Sequence, residues 1–119
     1  MIFEMFWKKY NWYRVAAGEG EIRLNASGIG TVELGDKKIC VVRFRDVWHA
    51  FALYCPHAGA LLSEGRIDEG GNIVCPVHAY KYNIRNGLCR VADGYRLRTY
   101  RVEVRTDGFY IGVEEGRGL

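Results

Sequence analysis

Hydrophobic and polar positions along this chain alternate in short runs, and glycine and other turn-forming residues separate the runs. The runs are rich in Val, Ile, Tyr, Phe and Trp, which is the composition of β-strands. No segment has apolar residues at helical spacing over three turns. The pattern therefore predicts an all-β domain.

The strongest strand signals lie in the middle of the chain and near its end, where turn dipeptides separate two apolar runs. Such turns occur at Gly35 and Asp36, at Asn86 and Gly87, and at Asp107 and Gly108. We predict strands over 12–16, 21–25, 31–34, 37–45, 48–54, 66–67, 72–74, 80–84, 88–91, 98–105 and 109–113.

Length and composition indicate one folded domain. A chain of 119 residues has no room for two domains of ordinary size. With 49% hydrophobic and 26% charged residues it is not disordered, and a net charge of +3 without a basic stripe argues against nucleic-acid binding. We expect an N-terminal extension over 1–11, the domain over 12–113 and a C-terminal tail over 114–119.

The N-terminal segment is apolar, but it lacks the basic region and the small-residue cleavage site of a signal peptide. An interfacial anchor formed by Ile2, Met5 and Phe6 is the disfavoured alternative. We expect a cytoplasmic protein without membrane contact. In that compartment cysteines serve metals or catalysis more often than disulfides.

Two loops carry near-copies of one short motif, Cys55-Pro56-His57 and Cys75-Pro76-Val77-His78. They hold both prolines of the protein, each directly after a cysteine, and two of its three histidines. Core packing does not explain this concentration. It does explain the remaining residues of these types, which fall in predicted strands: Cys40, Cys89 and His49.

Two thiolates and two imidazoles suit tetrahedral zinc, and they also suit a [2Fe–2S] centre with two Cys on one iron and two His on the other. Zinc sites usually take like residues from each short loop. Here each loop supplies one Cys and one His, which favours the two-iron centre. A Cys55–Cys75 disulfide would leave both histidines unexplained.

The spacing Cys55-x-His57 followed by Cys75-x-x-His78 resembles the Rieske signature. The resemblance extends from Trp12 to Val113 and includes the aromatic stretch around Tyr82 and the final hairpin. It implies small antiparallel sheets with a cluster at the tip of two hairpin loops.

The resemblance also implies ligand roles. Cys55 and Cys75 would hold the buried iron, and His57 and His78 the outer iron, of one [2Fe–2S] cluster per chain. In the membrane-anchored, high-potential branch each loop has a further cysteine. The matching residues here are Ala60 and Val77, so the resemblance is to the soluble ferredoxins.

Two departures from the family pattern matter near the cluster. Ala79 stands where the family usually has Gly, which would strain the backbone if this position needs a positive φ. Tyr82 stands where ferredoxins usually have Phe. We predict that its hydroxyl donates to the sulfur of Cys55; the alternative is that it points to water.

These features predict an electron-transfer protein and not an enzyme, because the sequence offers no nucleophile triad and no phosphate-binding glycine loop. The resemblance implies a soluble Rieske-type ferredoxin that passes single electrons from a flavin-dependent reductase to a terminal oxygenase. One alternative is the small Rieske subunit of a larger oxidoreductase such as nitrite reductase. Another is a zinc-stabilised, non-redox binding module.

Overall fold

A computed structural model describes residues 8–118. The segment that holds Ile2, Met5 and Phe6 lies outside these residues. The described chain is all-β and antiparallel, as predicted. Two single-turn 3-10 helices, over Glu19–Glu21 and Leu62–Glu64, join the strands. No helix within 8–118 is long and apolar enough to cross a membrane.

The strands form a sheet of six and a sheet of three. The larger sheet has the order β1-β9-β8-β4-β3-β2, and the smaller has the order β5-β6-β7. Their bounds are β1 Tyr10–Ala16, β2 Ile29–Leu34, β3 Lys37–Phe44, β4 Val47–Ala52, β5 Arg66–Ile67, β6 Asn72–Val74, β7 Lys81–Asn83, β8 Thr99–Arg105 and β9 Gly108–Glu114.

Strand β3 explains why the chain has two cores. Its central residues are apolar without interruption, and both of its faces are buried. One face, with Cys40 and Val42, packs into the core that also contains Cys55 and Cys75. The other face, with Val41, packs into the core formed with Phe109. The first core therefore ties the two motif loops to the centre of the large sheet.

Most predicted strands are confirmed. The strands at 66–67 and 72–74 have the predicted bounds, and the hairpins β3–β4 and β8–β9 pair in register. The reason is local. Runs of apolar residues mark the strands, and the turns between them contain residues that adopt positive φ, such as Asp46 between β3 and β4 and Gly71 between β5 and β6.

The predicted strand over 21–25 is wrong, because local hydrogen bonds hold this segment in a turn. The Glu21 carboxylate accepts a hydrogen bond from the Ala17 N–H at 2.6 Å. The Ile22 N–H donates to the Glu19 carbonyl at 3.0 Å, which closes the 3-10 turn. Only Leu24 makes a single β-bridge, to Gly30.

The predicted strand over 88–91 is also wrong, although a turn does form before it. The Asn83 side chain accepts hydrogen bonds from the Arg85 and Asn86 N–H groups, and Gly87 has a φ of 77°. The Leu97 N–H then donates to the Gly87 carbonyl at 2.8 Å. A Cβ at Gly87 would lie 1.9 Å from the Leu97 carbonyl oxygen. This close approach leaves only isolated bridges at Leu88 and Cys89.

Candidate metal centre

The two motifs occupy loops of equal length and like construction. The first loop, 55–60, is closed by the Tyr54–Leu61 bridge, and the second, 75–80, by the Val74–Lys81 pair of β6 and β7. In each loop the N–H of the cysteine donates across the loop at 2.8 Å, to the carbonyl of the sixth residue. Hairpin closure therefore fixes both cysteines at the base of their loops.

The backbone of the second loop is strained where the family resemblance predicted it. His78 and Ala79 have φ values of 62° and 53°, in the left-handed region. Only Gly enters this region without cost, because the Cβ of other residues crowds the backbone. The departure at Ala79 is therefore a cost to this chain, as predicted.

Changing Ala79 to Gly is expected to stabilise the protein by about 1 kcal/mol, because relief of the positive φ outweighs the added freedom of the unfolded chain. The midpoint of chemical denaturation measures this. Ala58→Gly, at an exposed position of the first loop without a positive φ, is the control and is expected to give no gain. An Ala79 variant less stable than the parent would contradict this account.

The two loop cysteines are buried side by side. Each is 2% exposed, and each thiol influences the pKa of the other. Burial opposes ionisation of Cys55, but the hydrogen bonds it receives hold its pKa below the usual value; the donors are Tyr82, the Ala58 and His57 backbone and Cys75. Burial and the neighbouring Cys55 raise the pKa of Cys75.

The predicted contact of Tyr82 is confirmed. The ring is fully buried, and its hydroxyl oxygen lies 3.2 Å from the Cys55 sulfur. Burial first, and then the adjacent Cys55, raise the pKa of Tyr82, so this hydroxyl keeps its proton. It is therefore the donor when Cys55 is a thiolate.

The loop histidines lie together and are more exposed than the two cysteines. Their ring centroids are 5.6 Å apart. His78 is exposed, whereas His57 is half-buried. The Tyr80 ring stacks on His57 at 3.9 Å and 9°, and the Tyr95 ring meets it edge-on at 5.2 Å. The two imidazoles therefore differ in how far solvent and partners reach them.

The sequence did not reveal the role of these two tyrosines. Tyr80 lies in the second loop, so its position was available, but nothing in the sequence indicated that it stacks on the first-loop histidine. Tyr95 follows a turn well beyond both loops. Only the fold brings it to His57.

One buried atom of the site lacks a partner. His57 Nδ1 is buried and makes no hydrogen bond. A buried polar group without a partner is costly, so such an atom needs an explanation, and a bound metal is one. Among the described residues, no three His, Cys, Asp or Glu side chains are close enough to hold a single metal ion. The donors form an inner thiol pair and an outer imidazole pair, which fits a centre with two metal ions.

The other residues of ligand type are not part of the two loops. Cys40 is fully buried in β3, where burial raises its pKa to about 12. Cys89 is half-buried and packs against the core that contains Cys40. His49 lies in β4 opposite Val42, and its pKa is lowered by burial and by nearby Arg85. All four cysteines are free thiols.

Comparison with known proteins gives a consistent set of similarities. The sequence model of the Rieske [2Fe-2S] domain matches residues 11–101. The ferredoxin subunit of a 3-phenylpropionate/cinnamic acid dioxygenase from Photorhabdus laumondii is 36% identical over 63 residues, which are 51% of this chain and 59% of that relative. The chain thus spans less than two thirds of that relative.

Two solved structures share the fold. A chain from the complex of reduced oxygenase and oxidized ferredoxin in carbazole 1,9a-dioxygenase has a TM-score of 0.68 at 29% identity, covering 84% of this chain and 91% of that one. A putative NADH-dependent nitrite reductase small subunit from Mycobacterium tuberculosis has a TM-score of 0.71 at 21% identity, covering 88% and 96%. At that identity the second likeness shows the fold alone.

Proposed function

This chain belongs to the Rieske [2Fe-2S] domain family, and from that premise we propose that it is a ferredoxin that carries single electrons. The observation that carries the proposal is the paired arrangement of the loop side chains. The two loops hold two buried thiols and two more exposed imidazoles, and one imidazole nitrogen is buried without a partner. Residues 12–113 form the functional domain in this proposal.

The four loop residues are the proposed ligands of one cluster. Cys55 and Cys75 hold the inner iron, and His57 and His78 hold the outer iron. When bound, such a cluster supplies one-electron chemistry at a potential of about −150 to +300 mV. The lower pKa of Cys55 favours the thiolate that iron requires.

The chain itself determines how a partner reaches the centre. Tyr80 and Tyr95 cover His57, whereas His78 is exposed. Val77, which precedes His78, is also exposed and apolar, at 39%. In this proposal electrons enter and leave on the His78 side, where a docking partner comes closest.

Tyr82 is proposed to raise the potential. Its hydroxyl donates to the Cys55 thiolate, and this bond is stronger when the centre is reduced and more negative. A hydrogen bond contributes about 1 kcal/mol net. Since 59 mV corresponds to about 1.4 kcal/mol for one electron, the full effect is about 40 mV.

Tyr82→Phe is therefore expected to lower the reduction potential by tens of millivolts, which protein-film voltammetry measures. Tyr13→Phe, on the exposed side of β1, is the matched control and is expected to leave the potential unchanged. An equal potential in the Tyr82 variant and the parent would leave Tyr82 with a packing role only.

The proposed partners are a flavin-dependent reductase and a terminal oxygenase. Support comes from the relatives, which are a dioxygenase ferredoxin subunit and a ferredoxin in complex with its oxygenase. The proposed location is the cytoplasm, where free thiols such as the four found here stay reduced.

Two measurements test the carrier role. Coulometric titration of the iron-loaded protein is expected to show uptake of one electron per chain, and uptake of none would overturn the proposal. Affinity purification from the source cells separates a carrier from a fixed subunit. A carrier is recovered mainly on its own, whereas a nitrite reductase type of subunit is recovered with an equimolar large subunit.

A further inference from the structure

A polar cavity of about 620 Å³ lies beside the start of β8 and the end of β9. Neither motif loop contributes to its lining. Six cationic side chains line it: Lys8, Arg85, Arg96, Arg98, Arg101 and Arg117. Glu114 is the acidic residue of the lining. The segments that supply these cations are far apart in the sequence, so the fold creates this concentration of charge.

The cavity accounts for the positive charge of the whole chain. It contains six of the 17 basic residues and one of the 14 acidic residues, which gives it a formal charge of +5. Because the chain carries +3 in total, the rest of the molecule carries −2. Cations gathered in a concave site focus their field on whatever enters it. The cavity therefore attracts anions.

Two of the arginines, Arg98 and Arg101, contact neighbouring groups that restrict their movement. The Arg98 guanidinium lies 4.9 Å from the Tyr100 ring centroid and donates to the Gly118 carbonyl. Arg101 lies 5.2 Å from the Tyr10 ring centroid. Stacking on an aromatic face leaves the N–H groups at the edge of the Arg101 guanidinium available to an anion. These side chains thus lose less conformational freedom when an anion binds.

Three other arginines of the cavity, Arg85, Arg96 and Arg117, make no ion pair within residues 8–118. Arg96 and Arg117 are exposed at the cavity. Guanidinium groups of this kind bind phosphate oxygens through paired hydrogen bonds.

We propose that this cavity is a binding site for a small molecule that bears several phosphoryl groups. The volume is that of a small-molecule site, and the site is concave. The charge of +5 matches the compact negative charge of a phosphate chain. The site is separate from the motif loops, so ligand binding does not depend on the cluster.

Isothermal titration of the iron-loaded protein with tripolyphosphate tests the site. Saturable binding of one ligand per chain is expected. The double variant Arg96→Gln/Arg117→Gln is expected to bind at least about tenfold more weakly, because each change removes charge-assisted hydrogen bonds. Arg23→Gln/Arg66→Gln removes the same charge outside the cavity and is expected to change the affinity less than about twofold.

Other ligands identify what the site recognises. ADP binding more tightly than pyrophosphate would support a nucleotide as the source of the phosphates, and equal binding would support the phosphate chain alone. Citrate binding as tightly as tripolyphosphate would overturn the assignment to phosphate. A polyglutamate peptide binding more tightly than either would overturn it in favour of an acidic segment of a partner protein. Absence of saturation, or equal losses in both double variants, would also overturn it.

Discussion

Replacing Cys55 or Cys75 with serine is expected to abolish iron binding. Both thiols are 2% exposed, so each serine would place a hydroxyl in a buried position where iron requires a thiolate. Loss of the centre also removes the bonds that join the two loops, and the loops are expected to become less stable. Iron content per chain and visible absorption of the purified variants measure the loss.

Cys89→Ser is the matched control, because Cys89 is a half-buried free thiol that lies outside both loops. It is expected to keep the two irons that a [2Fe–2S] cluster contains. A Cys55 or Cys75 variant with the iron content and spectrum of the parent would contradict the ligand assignment. So would loss of iron in the Cys89 variant.

Gly65→Ala is expected to destabilise the protein by about 3 kcal/mol, at the upper end of the usual cost of overpacking. A Cβ at this buried position would lie 2.2 Å from the Val74 carbonyl oxygen and 3.2 Å from the Leu62 carbonyl oxygen. These are backbone atoms, so neither moves without shifting a chain segment. Because Val74 directly precedes Cys75, the shift reaches the second loop.

The expected results are a lower midpoint of chemical denaturation and a lower iron content in the Gly65 variant. Gly20→Ala is the control, since a Cβ there meets nothing within 4 Å. Its free energy of unfolding is expected to change by less than about 0.5 kcal/mol. Equal stability of the two variants would show that the backbone at 65 and 74 yields at little cost.

The strands and the proposed ligands were predictable because their signals are local. Short apolar runs bounded by turn residues sufficed for the β3–β4 and β8–β9 hairpins. The four loop residues were evident because Cys, Pro and His recur together in two short segments. The contact between Tyr82 and Cys55 was predictable only through the family resemblance, which supplied the partner of the hydroxyl.

The features that were missed depend on specific contacts that the pattern of apolar residues does not encode. The carboxylate of Glu21 folds back on Ala17 and replaces a predicted strand with a turn. Leu97 packs against Gly87 and prevents a second strand from forming there. The contact between Tyr95 and His57 joins segments that lie far apart in the sequence, and so does the basic cavity.

The central claim is that two cysteines and two histidines hold one [2Fe–2S] cluster. Pulsed EPR of the reduced protein, grown with ¹⁵N-labelled histidine, tests it most directly. The account predicts a single cluster signal coupled to two imidazole nitrogens, with one coupling lost in a His57→Cys variant and one in a His78→Cys variant. A reduced cluster without nitrogen coupling, or a colourless protein that contains zinc and no iron after growth with ample iron, would contradict it.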